Sequence, residues 1–91
     1  MKREAHLLQL LRAEFSEHTP WLSQMTGAVV TVQPTGNGND FTLVAVWQGG
    51  RYGKFYNMDS VRTLGGRGGC AARMAGKYIA EVLEEKRKST T

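Results

Sequence analysis

Gly65-Gly66-Arg67-Gly68-Gly69 is the most biased stretch of the chain, and it stands just before a segment with helical spacing. Free backbone N–H groups and the positive end of a helix dipole suit such a loop to an anion, with Arg67 as a charged donor. The spacing is neither that of a nucleotide-binding P-loop nor that of a dinucleotide fingerprint following a parallel strand. Phosphate contact and plain connector are therefore the two readings. Arg51, Lys54, Arg62, Arg67, Arg73 and Lys77 fall around this loop. From residue 51 onward nine Lys and Arg face four carboxylates, whereas residues 1–18 are balanced and residues 19–50 hold only Asp40. Gathered on one face, these cations would attract a phosphate polyanion. Scattered, they are a solvated surface on a chain of net charge +4.

Tyr52, Lys54 and Tyr56 alternate along a strand-like segment and share one face of it. Facing outward, the two rings would stack single-stranded bases with Lys54 as a phosphate contact. Facing inward, they are core. Lys54 argues for the outward arrangement, which turns Arg51, Gly53 and Phe55 toward the interior.

Catalytic and metal constellations are poor. Cys70 lies at a helix start near Arg67 and Arg73, a setting that lowers a thiol pKa. A catalytic thiol also needs a base, and His6 and His18 have no spacing that pairs either with it. One Cys and two His twelve residues apart do not make a structural zinc site. Glu81, Glu84 and Glu85 stand beside Lys86 and Lys88, where ordinary helical ion pairing accounts for them. The expectation is no catalysis, no cofactor and no metal.

The elements that position these residues are readable. Ninety-one residues, 41% hydrophobic and 22% charged, suit one small core, taken as a domain over residues 1–88 with a frayed tail at 89–91. The longest uncharged stretch, Thr19 to Asn39, is broken by Pro20, Gly27, Pro34, Gly36 and Gly38, so no membrane span is expected. Glu4 and His6 interrupt the opening residues, which excludes a secretory h-region there. Cys70 alone permits no internal disulfide, and a cytoplasmic location is expected.

Leu7, Leu8, Leu11 and Phe15 predict a first helix, closed by His18-Thr19-Pro20. Trp21 to Met25 reads as a loop or a single helical turn, with Trp21 and Leu22 capping the core. Strands follow at 28–32, 41–47 and 51–56, the last two joined by a tight turn at Gly49-Gly50. Both faces of 41–47 are largely apolar, which predicts a central strand whose second face is at least partly covered. A short helical turn, capped by Asp59 or Ser60, is expected within 57–64. A second long helix follows at about 70–86, with Ala72, Ala75, Ile79, Val82 and Leu83 on one side. The fold class is α+β: α-β-β-β-α, a three-stranded antiparallel sheet with two helices packed on one face.

That order, with a glycine-containing loop running into Phe41-Thr42-Leu43 and the helix opening Ala71-Ala72-Arg73-Met74-Ala75-Gly76-Lys77, resembles the double-stranded RNA-binding domain. The resemblance spans Leu7 to Leu83. It implies shape-based binding of an A-form duplex, with the start of the last helix on phosphates. Gly36, Asn37 and Gly38 stand where that family usually carries Pro and His. Gly68 to Ala71 replace its double lysine, leaving Arg67, Arg73 and Lys77 for that role. Domains of this architecture also serve as protein-binding modules. The leading expectation is a small non-enzymatic nucleic-acid-binding accessory protein, for RNA or DNA, using Arg51, Tyr52, Lys54, Tyr56, Arg62, Arg67, Arg73 and Lys77. The alternative is a protein-interaction module or inhibitor, monomeric or homodimeric, that docks through a sheet edge or the hairpin aromatics.

Overall fold

The computed structural model describes residues 2–35, 38–63 and 70–89, with side chains described for 5–35, 38–60 and 72–89. The elements are α1 (Lys2–Glu17), α2 (Thr19–Thr26), β1 (Val29–Pro34), β2 (Phe41–Trp47), β3 (Gly50–Tyr56), α3 (Met58–Thr63) and α4 (Cys70–Ser89). The strands form one antiparallel sheet in the order β1-β2-β3. The α+β class and the meander are as expected. Two short helices, α2 and α3, are added to the simple α-β-β-β-α order.

Pro20 explains the first addition. It closes α1, but it also sits in the first turn of α2, where a missing N–H costs nothing because that donor has no helical partner. Two full turns therefore form where the local sequence suggested a loop or one turn. Gly27 ends α2 at φ +66, in the left-handed region, and donates its N–H to the Ser23 carbonyl at 2.9 Å. Leu22 is fully buried and caps the core as expected, whereas Trp21 is 45% exposed and does not.

At α3 the cap is shared by Asn57, which the sequence pattern did not single out, and Ser60, one of the two residues expected there. The Asn57 Oδ1 accepts from the Ser60 N–H at 3.2 Å, and the Ser60 hydroxyl accepts from the Asn57 N–H at 3.2 Å, a reciprocal pair.

Pairing of Trp47 with Gly50 makes the second hairpin loop Gln48-Gly49, one residue earlier than the Gly-Gly pair suggested. Gly49 has φ +109, a conformation that side chains rarely adopt. Gly50 is glycine for a different reason, since a Cβ there would stand 2.9 Å from the Trp47 ring.

One sheet face carries the core. Val30, Phe41, Leu43, Ala45 and Tyr56 meet Leu8, Leu11 and Phe15 of α1, Leu22 of α2, and Met74, Tyr78 and Val82 of α4. Phe41 and Tyr56 stack with centroids 5.1 Å apart, and Phe15 lies 5.4 Å from Tyr56. The Tyr78 hydroxyl donates to the Leu43 carbonyl at 3.0 Å, fixing α4 over the sheet. The Lys86 ammonium donates to the Thr26 carbonyl at 2.9 Å and the Gly27 carbonyl at 3.3 Å, so it caps the C-terminus of α2. The ladder extends α4 to Ser89, the first residue expected in the tail.

The second sheet face departs from expectation. Val44 at its centre is buried, but Val29 is 66%, Val46 48% and Phe55 49% exposed. No helix among the described residues covers it. Among those residues no helix is long and apolar enough to cross a membrane.

Candidate nucleic-acid interface

Residue alternation on β3 decides where the candidate side chains point. Tyr52, Lys54 and Tyr56 pair in register with Ala45, Leu43 and Phe41, the core-facing residues of β2. They therefore face the helices, and Arg51, Gly53 and Phe55 meet solvent. This reverses the expected orientation. Lys54 is turned inward because a carboxylate waits for it: its ammonium lies 2.9 and 3.0 Å from the two Glu81 oxygens. The Tyr52 hydroxyl donates to the same carboxylate at 2.9 Å.

Partial burial alone would raise the Glu81 carboxyl. The hydrogen bonds from Lys54 and Tyr52 outweigh it and hold the group below its usual range. Burial, followed by the bond to Glu81, pushes the Tyr52 phenol up to about 12. Tyr56 is 2% exposed, and burial pushes its phenol higher still. A ring enclosed between Phe15 and Phe41 has no free face for a base, so the proposed Tyr52 and Tyr56 stacking platform is not formed in this arrangement. The exposed hairpin aromatic is Phe55, on the opposite sheet face.

The cations divide into groups. Arg73 and Lys77 lie one turn apart on α4 and are both exposed. Lys77 is close enough to Glu81 to help lower its pKa. Lys54 approaches the same flank from β3. Arg51 is exposed on the other face of the sheet, beside Val46 in register. Arg62 lies on α3, but its side chain falls outside the described residues, as do Arg67, the whole Gly65–Gly69 loop and the Cys70 thiol.

Charge compensation along α4 is uneven. Glu81 holds Lys54, Glu84 is paired with Arg87, and Glu85 lies 4.0 Å from Lys88. Among the described residues Arg73 and Lys77 have no hydrogen-bonded or ion-paired partner. The first half of the helix thus presents positive charge held in no direct ion pair among the described residues, and the second half is a laced, near-neutral surface.

One hollow escaped the sequence reading. A cavity of about 470 Å³ lies between α1, α2 and α4, lined among the described residues by Glu14, Phe15, His18, Trp21, Ala72 and Ala75. It exists because α2 continues past Pro20 and carries Trp21 away from the core. Pro20, five residues after Phe15 ends the apolar stripe and so placed to open a second helix, was the available signal. Among the described residues no group of three or more His, Cys, Asp or Glu side chains could hold a metal ion.

Compared with known proteins, the chain matches no family model, no curated protein and no solved structure.

Proposed function

We propose that this chain is a small non-enzymatic nucleic-acid-binding accessory protein that grips the phosphate backbone through Arg73 and Lys77. The observation that carries the reading is the uneven compensation of α4: its carboxylates are engaged by other cations, while Arg73 and Lys77 stand exposed and unengaged. Two cations one turn apart on a rigid helix are pre-positioned for phosphate oxygens, and little side-chain packing has to be given up to reach them. The resemblance to the double-stranded RNA-binding domain supports the same place, since the opening turns of its last helix meet the phosphates between two minor grooves. Lys54 contributes its field rather than a free ammonium, because Glu81 holds it. Base stacking by Tyr52 and Tyr56 is not part of the proposal.

The test is a fluorescence-anisotropy titration against short duplex and single-stranded RNA and DNA at low and physiological salt. The expected result is binding that weakens with salt, with Arg73→Ala/Lys77→Ala losing several-fold in affinity and lowering the salt slope by about two. Arg51→Ala, on the far sheet face, leaves affinity unchanged. Undetectable binding at low salt, or a double variant that binds like the unmodified chain, would falsify the proposal.

A further inference from the structure

The two outer edges of the sheet are not equivalent. In an antiparallel ladder, alternate residues turn both N–H and C=O toward the neighbouring strand or away from it. The phase is fixed here by three bonds. Val30 sends its N–H to the Ser23 hydroxyl at 2.9 Å, so the even-numbered residues of β1 face outward. Thr35 bonds Asp40 across the first hairpin at 3.1 Å, so its odd-numbered residues face β2. The two sides of β2 must then alternate, which turns Arg51, Gly53 and Phe55 of β3 outward. The Asn57 N–H, next in that series, is taken by Ser60.

The β1 edge is largely blocked: Ser23 takes the Val30 N–H and Pro34 has none to offer, which leaves the Val32 N–H alone between them. The β3 edge is open. Arg51, Gly53 and Phe55 are all exposed, and among the described residues none bonds outside the sheet ladder.

We infer that the β3 edge pairs with the β3 edge of a second copy of this chain, antiparallel about a twofold axis through Gly53. This goes beyond the nucleic-acid reading and does not depend on it. The register follows from the free groups. Centring on Gly53 sets Arg51 opposite Phe55 of the second copy and Phe55 opposite its Arg51, and it is the antiparallel register in which every outward residue finds a partner. The side chains agree with it. Gly53 meets Gly53, so nothing crowds the axis. A guanidinium over an exposed phenyl ring is a favourable cross-strand pair. On the helix side Lys54 falls opposite Tyr52, so no like charges are opposed.

The helices agree as well. α4 runs antiparallel to β3, since Glu81 bonds Tyr52 and Lys54 while Ser89 lies against Gly50. The same axis sets the two α4 helices antiparallel, with Lys77 of one at the level of Glu85 of the other.

The experiment is sedimentation equilibrium of the full chain from low to high micromolar concentration. A dimer is expected. Gly53→Pro dissociates it without removing any ladder bond inside the protomer, because the Gly53 N–H points away from β2 and an added Cβ would sit 3.4 Å from Thr42, an ordinary contact. Phe55→Lys puts a cation opposite Arg51 of the second copy and weakens the dimer by about tenfold. Arg51→Glu combined with Phe55→Lys sets unlike charges across the axis and restores it. Where Gly53→Pro does not fold, the single and double charge variants decide. A monomer at every concentration, or a dimer indifferent to these substitutions, overturns the inference.

Discussion

The two faces of β3 present nearly the same chemistry to opposite fates. On one side an aromatic, a cation and a second aromatic are all engaged, Tyr52 and Lys54 by Glu81 and Tyr56 by Phe15 and Phe41. On the other, Arg51 and Phe55 flank a glycine and have no such partners among the described residues. Residue type therefore does not separate inside from outside on this strand. What separates them is the supply of partners from a distant helix: a cation turned toward a core is tolerated where a carboxylate and a phenol satisfy it.

The largest test of that contrast is Tyr56→Ala. It removes a ring from a three-ring cluster and is expected to cost about 3–5 kcal/mol, read as a lower midpoint in urea unfolding. Phe55→Ala, on the open face, is expected to stay within about 0.5 kcal/mol. Equal losses would mean that the two faces are not distinguished as described.

An alkaline titration sharpens the comparison without mutation. Tyr52, Tyr56 and Tyr78 all have phenols raised above their ordinary value of 10.0. Below that value folded and unfolded chains both hold the protons. Above it the unfolded chain releases them first, so stability falls as pH rises from about 10 toward the folded values. Glu81 works in the opposite sense, and its contribution is present above its unfolded value of 4.5 and lost as pH falls below it. Thermal melting across the alkaline range should show the decline, less steeply in Tyr52→Phe. A flat profile from about pH 9 to 11 would refute the burial of these phenols.

The smallest expected effect is at the ion pair. Lys54 and Glu81 side chains are 27% and 28% exposed, so solvent screens much of their attraction. Lys54→Ala should cost about 1 kcal/mol, and Arg51→Ala less than half of that. A double-mutant cycle with Glu81→Gln isolates the pair, and a coupling energy of zero would reduce Lys54 to a spacer.

Local pattern was enough for some of this. The run Phe41 to Trp47 is β-branched and apolar on both faces, and β2 has those limits and the central place. The apolar stripe of α1 was equally legible, since helical spacing repeats within a few residues. That of α4 was legible in part: Ala75, Ile79 and Val82 are buried as expected, but Ala72 and Leu83 are exposed and Met74 and Tyr78 take their place in the core. The orientation of β3 was not, because Lys54 is satisfied by a residue 27 positions away and no short window contains both. Reading Lys54 as a mark of solvent followed the usual behaviour of lysine. Pro20 misled in a similar way, since the property that stops one helix also starts another. For the interface, the exposed stripe of Arg73 and Lys77 was named from sequence, but its separation from Arg51 depends on sheet register, which charge counting does not contain.

Ser23 and Pro34 govern stoichiometry as much as local geometry. A sheet with two open edges adds copies without limit, and that is the route to fibres. A sheet with one open edge adds once: after β3 meets β3, both ends of the joined sheet are β1 strands, each left with a single outward donor, the Val32 N–H, between one already taken by Ser23 and a proline that has none. One serine hydroxyl and one proline ring would thus close the assembly at two chains.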